Sequence, residues 1–107
     1  MKTYRGQRNP CGRNIVTVDG RPLGERHDLR NHGPDGFEWG YGGSGPAQLA
    51  LAIATDHFGD ERGQQLYQDL KWALVARIVG DTWELTSAAI DDWYANAAEL
   101  LPEGGPR

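Results

Sequence analysis

The residues of this chain best placed to do chemistry lie in Phe37-Glu38-Trp39-Gly40-Tyr41-Gly42-Gly43-Ser44-Gly45-Pro46-Ala47-Gln48-Leu49, where four glycines fall within six positions beside two large aromatics. Glycine reaches positive φ and admits close neighbours that a side chain would exclude. An alanine- and leucine-rich helix pattern follows directly. The N-terminus of a helix presents free backbone N–H groups at the positive end of the macrodipole, which makes it a general anion site. Ser44, Gly45 and the N–H groups of Ala47 and Gln48 would form such a cradle, with Gly42 and Gly43 letting a ligand approach. Trp39 and Tyr41 would offer stacking faces for a base, and Arg5, Arg30 or His32 would neutralise phosphate. On the competing reading the turn is architectural, and Trp39 and Tyr41 cover the core.

Named nucleotide motifs fail here on context. Gly40-Tyr41-Gly42-Gly43-Ser44-Gly45 has the letters of the dinucleotide fingerprint, but a second helical pattern follows where a parallel strand ending in an acidic residue is needed. The P-loop requires Lys-Ser/Thr where this chain has Pro46-Ala47, and a kinase glycine loop needs a larger catalytic domain. Nucleophilic chemistry would need Cys11 brought to His27, His32 or His57 by the fold. His27, Asp28, His32 and Asp35 have no established metal-ligand spacing and read as a solvated loop. No catalytic residue, metal or cofactor is assigned.

The elements that must position these groups follow from pattern and turn chemistry. Ile15-Val16-Thr17-Val18 is a β-branched run closed by Asp19-Gly20, a hairpin signal, and Arg21-Pro22-Leu23 continues beyond it. Thr3-Tyr4-Arg5-Gly6 reads as an earlier strand pairing with it, and Phe37-Glu38-Trp39 as one more short strand. Residues 24–36 are polar and read as a loop. Helices are expected from about Ser44 to Gly59, with Pro46 at the first helical position and Ser44 or Gly45 as cap, and from Asp60 to Val79. The first is read as buried around most of its circumference. Leu66, Leu70, Ala73, Leu74 and Ile78 form the core stripe of the second, with Trp72, Val75 and Val79 offset from it. Trp83-Glu84-Leu85 is a short extended piece, and Thr86 caps a third helix carrying Ile90, Trp93, Tyr94, Ala97, Leu100 and Leu101, ended by Pro102. Trp72, Trp83 and Trp93 are read as core. The expectation is an α+β fold: a small N-terminal antiparallel sheet against about three C-terminal helices.

A length of 107 residues suits one domain and one core. It divides into a β-rich and loop part at 1–43, a helical part at 44–101 and a tail at 102–107. No apolar run is long enough to span a bilayer and no leader pattern follows Met1, so a cytoplasmic protein with no membrane partner is expected. One cysteine excludes an internal disulfide. The net charge of −4 is unevenly spread: residues 1–32 hold seven Lys/Arg against three acids, and the remainder holds four against twelve. Such segregation makes two oppositely charged faces or neutralises itself across the fold.

The order Tyr4-Arg5-Gly6, Val16-Thr17-Val18-Asp19-Gly20, Asn31-His32, the long motif from Phe37 to Ala50, and later Trp83-Glu84-Leu85 and Trp93 resembles a family of small uncharacterised proteins carried by phages, plasmids and integrated mobile elements. The resemblance implies a genetic setting and no catalytic residue. It implies a small non-enzymatic accessory protein that binds a host or defence-system protein as a counter-defence, anti-CRISPR-like inhibitor. The alternative is a nucleotide- or nucleic-acid-binding module built on the glycine turn.

Overall fold

The computed structural model describes residues 1–32 and 35–98. Strands β1 (Thr3–Gln7), β2 (Ile15–Val18), β3 (Arg21–Pro22) and β4 (Thr82–Thr86) form one antiparallel sheet in the order β3-β2-β1-β4. Helices α1 (Ser44–Phe58), α2 (Asp60–Ala73) and α3 (Ser87–Ala98) complete an α+β fold, with a short 3-10 turn at Val75–Arg77. Expected helix positions Leu100, Leu101 and Pro102 lie outside the described residues.

The Asp19-Gly20 hairpin forms as its chemistry requires. Both residues have positive φ, 50° and 81°, and Val18 faces Arg21 across the two-residue loop. β1 lies between β2 and β4, with Tyr4 opposite Val18 on one side and Leu85 on the other. The sheet is therefore only partly N-terminal, because a segment almost 80 residues downstream supplies an edge strand. Alternation sends Tyr4, Gly6, Val16, Trp83 and Leu85 to the helix-covered face and Arg5, Thr17 and Glu84 to the other. Gly6 is required for this packing, since a Cβ there would stand 2.2 Å from the Trp83 indole nitrogen.

Helix α1 is the centre of the core, and every residue from Pro46 to Thr55 is buried. Its cap differs from expectation. Gly43 occupies the N-cap with no side-chain hydrogen bond, and Pro46 is the third helical residue, where its missing N–H is still one of the helix's orphan donors. Gly59, at φ 89°, separates α1 from α2. The two helices cross closely at Gly63, which lies on the Ala54–Thr55 backbone.

Three expectations are corrected. Helix α2 ends at Ala73 instead of reaching Val79: the Val75 carbonyl accepts from the Gly40 N–H at 3.1 Å and from Ile78 at 3.3 Å, so the chain tightens into the 3-10 turn. Phe37-Glu38-Trp39 is not a strand. Both sides of β1 are already paired, and the segment is held by side chains, with Asn14 Nδ2 donating to the Phe37 carbonyl at 3.0 Å. Trp72 is 60% exposed and does not belong to the core. Thr86 does cap α3, its hydroxyl accepting from the Ala89 N–H at 3.1 Å.

The charge asymmetry is largely neutralised within the fold. Lys2 pairs with Asp56, Arg5 with Glu84, Arg8 with Glu38 and Asp81, and Arg26 with Asp60. Asp56 also accepts the hydroxyl of fully buried Tyr4 at 2.7 Å, and burial with this bond pushes the phenol pKa up.

Candidate functional site

The glycine turn is a packed junction open to solvent at Gly40, Tyr41 and Ser44, and each of its glycines answers to a neighbour. Gly40 has φ 89°, and a Cβ there would meet the Ile78 carbonyl at 3.0 Å. Gly42 lies under the Trp72 indole, Gly43 under the Tyr41 ring, and Gly45 against the Glu38 stem; a Cβ would come within 2.1, 2.5 and 2.7 Å of them respectively. Glu38 is held in turn by Arg8 and Asn14. A carboxylate-bearing side chain of the protein thus packs on the first turn of α1, and the Ala47 N–H is committed to the Gly43 carbonyl at 3.0 Å. Ser44 itself is exposed.

The two aromatics of the turn part company. Trp39 is 1% exposed. Its indole N–H donates to the Gly80 carbonyl at 3.0 Å, the Arg8 guanidinium covers its ring at 4.6 Å, and Trp83 meets it edge-on at 5.7 Å. No ring face is left for a base. Tyr41 is 52% exposed and stands near Trp72, since Gly42 and Gly43 carry one ring each. The Lys71 ammonium lies 4.4 Å from the Trp72 ring centroid and donates to the Gly42 carbonyl at 3.2 Å, fixing Trp72 against the turn. Two exposed aromatics, Tyr41 and Trp72, thus lie over adjacent glycines of the turn. The sequence signal for Trp72 was its offset from the Leu66–Leu70 stripe.

Gln48 is fully buried and organises the loop before the turn. Its side-chain oxygen accepts from the His32 N–H at 2.8 Å, and its amide nitrogen donates to the carbonyls of Arg30, at 3.0 Å, and Glu25. His32 then reaches the Tyr67 hydroxyl, 2.9 Å from its Nε2. Burial, with the Arg30 and Lys71 charges, holds the His32 pKa below its usual value, so its ring is neutral at neutral pH. Gln48 and His32 are thus joined in one network, with Arg30 entering through its carbonyl. Arg5 is not part of it, since it pairs with Glu84 at 2.8 Å on the opposite face of the sheet from Trp39.

The remaining candidates stay apart. Cys11 is exposed in a turn, its N–H donating to Asn9. His27 faces Glu25 and His57 faces Asp91, each at 2.7 Å, so no histidine is engaged with the thiol. In the His27–Asp28–His32 loop, Asp28 is bound by Arg26 while His32 turns to Tyr67. Among the described residues, no three His, Cys, Asp or Glu side chains are grouped to hold a metal, and no helix is long and apolar enough to cross a membrane.

Residues 4–96 match the model of a family of unknown function (DUF6166). No curated protein and no solved structure matches the chain.

Proposed function

The chain belongs to the DUF6166 family of unknown function, and from that footing we propose that it is a non-enzymatic binding protein acting through protein–protein contact at the Tyr41–Trp72 surface. One observation carries the reading: two large aromatics, 52% and 60% exposed, lie over adjacent glycines of one junction, Trp72 over Gly42 and Tyr41 over Gly43. Exposed apolar side chains scattered singly mean little, whereas rigid Trp and Tyr anchors are the residues that dominate protein interfaces. A ring already fixed by Lys71 and Gly42 also loses little conformational entropy on binding. In the setting that the resemblance implies, a phage or other mobile element in a bacterial cytoplasm, the partner is a host or defence-system protein and the contact inhibits it in an anti-CRISPR-like manner.

The nucleotide reading has less to stand on. Trp39 offers no open face, and Tyr41 and the Glu38 stem occupy the two sides of the turn where phosphate would lie. The overall charge of −4 likewise gives no general attraction to nucleic acid.

Immobilised protein exposed to bacterial lysate, with the bound fraction read by mass spectrometry, tests the proposal. Wild type should retain a specific, stoichiometric partner, and Trp72→Ala with Tyr41→Ala should weaken that binding by about tenfold or more, as for interface hot spots. Equal capture by wild type and double variant, or a thermal shift with a mono-, di- or cyclic nucleotide, would count against it.

A further inference from the structure

The sheet leaves β4 as an edge, and its ladder with β1 identifies the backbone groups that this ladder does not use. Arg8 N–H donates to the Asp81 carbonyl at 2.8 Å and Ser87 N–H to the Lys2 carbonyl at 2.9 Å, with Gly6 facing Trp83 and Tyr4 facing Leu85 between them. Hydrogen-bonded pairs recur at every second residue of an antiparallel ladder. Asp81, Trp83, Leu85 and Ser87 therefore turn their backbone groups toward β1, and Thr82, Glu84 and Thr86 turn theirs outward. The outward groups of Thr82 and Glu84 take part in no turn or loop hydrogen bond among the described residues.

The geometry points to a second copy of this chain on that edge, with β4 antiparallel to its counterpart about a two-fold axis at Trp83, joining two sheets into one. With Thr82 on the axis Glu84 would need Gly80, whose carbonyl already accepts from the Trp39 indole N–H, and with Leu85 on the axis it would need Thr86. Two other outward registers compete. With Glu84 on the axis, two carboxylates oppose each other directly, which is unfavourable. That register also needs the Thr86 carbonyl, which as the N-cap carbonyl accepts the first hydrogen bond of α3. With Trp83 on the axis, Thr82 faces Glu84 of the partner subunit, both of its backbone groups pair, and symmetry repeats the arrangement. The Thr82 hydroxyl then stands opposite a carboxylate it can donate to. The pattern is complementary to itself, which favours another copy over an unrelated strand.

Two features fit this occupant. A charge on an edge strand ordinarily keeps the edge solvated, but Arg5 neutralises Glu84 from the neighbouring strand at 2.8 Å. Val79, 91% exposed, stands three residues before β4, at the end past which the partner subunit's chain would run. So short a contact lies at the small end of interfaces and gives a Kd on the order of 100 μM.

Sedimentation of the full chain from about 10 μM to about 1 mM, a range bracketing that Kd, should show a concentration-dependent dimer. Glu84→Pro should abolish it, because its N–H points outward and is not used in the ladder with β1, while Glu84→Gln should keep it. Amide exchange on wild type gives a reading independent of the variant's folding: Thr82 and Glu84 should slow by about fourfold across that range, as the monomer fraction falls, and Trp83 and Leu85, protected by β1, should not change. A monomer throughout, a dimer that Glu84→Pro also forms, or Thr82 and Glu84 amides that stay fast in the dimer overturns the proposal.

Discussion

Replacing Gly63 by alanine sets two physical effects of opposite sign against each other. Helix propensity favours the change by about 1 kcal/mol, because glycine in a helix interior carries a large entropy cost. Packing opposes it. The new Cβ would stand 2.5 Å from both the Cα and the N of Thr55 and 2.7 Å from the Ala54 carbonyl carbon. Carbon atoms pack at about 3.5–4.0 Å, so α1 and α2 must part by about 1 Å. The obstructing atoms are backbone and cannot rotate away, and a gap of that size forfeits about a quarter to a half of each dispersion contact it opens. Leu66, Tyr67 and Leu70 are the buried residues of α2 that would lose them. Overpacking costs about 1–3 kcal/mol, and with backbone as the obstruction the upper end applies, which leaves Gly63→Ala destabilised by about 2 kcal/mol. Urea unfolding followed by circular dichroism should show the midpoint fall by about 1–2 M, and the melting temperature should drop by about 10–20 °C. Gln68→Ala, at an exposed position of the same helix, should stay within about 0.5 kcal/mol of wild type. A Gly63→Ala protein as stable as wild type, or more so, would refute the reasoning.

Gln48→Leu keeps the side-chain volume and strands the His32 N–H and the Arg30 and Glu25 carbonyls; with water able to reach the loop, the cost should be about 2–4 kcal/mol, and amide exchange at His32 should accelerate. Arg26 hydrogen-bonds Asp60 and Asp28 and holds both carboxyls below their ordinary 3.8. Depressed folded-state values contribute stability that is complete above the unfolded pKa and is lost as pH falls through the lowered ones. The urea-midpoint difference between wild type and Arg26→Met should therefore be constant above about pH 5 and shrink steadily toward pH 2; a difference that grows on acidification would contradict this account.

Local chemistry was legible in the sequence where a short segment fixes its own conformation. Asp19-Gly20 forms the hairpin because both positions need positive φ. The Pro46–Thr55 stretch has almost no polar residues to present to water, so its burial on all sides followed from composition. Thr86 capped α3 because its side chain reaches the Ala89 N–H just ahead in the chain. The same locality misled at residues 37–39, where alternation suggested a strand although β1 had no side left to pair.

The candidate site was readable as a place and not as a set of roles. The glycine turn stood out, but the sequence could not distinguish Trp39, buried beneath Arg8, from Tyr41, left open. Nor could it say that Gln48, the fifth residue of α1, spends its amide on a loop.

By itself, then, the sequence determined an α+β chain with one hairpin, a buried first helix and a glycine-built junction, because those features rest on dihedral preference and short-range periodicity. Only the tertiary structure decided that Thr82–Thr86 returns to β1 as an edge strand, that Gly40 takes the Val75 carbonyl and shortens α2, and that Trp72 packs over Gly42 in the turn. Each depends on a partner more than 25 residues away, and no local propensity carries the position of a partner so distant in the chain.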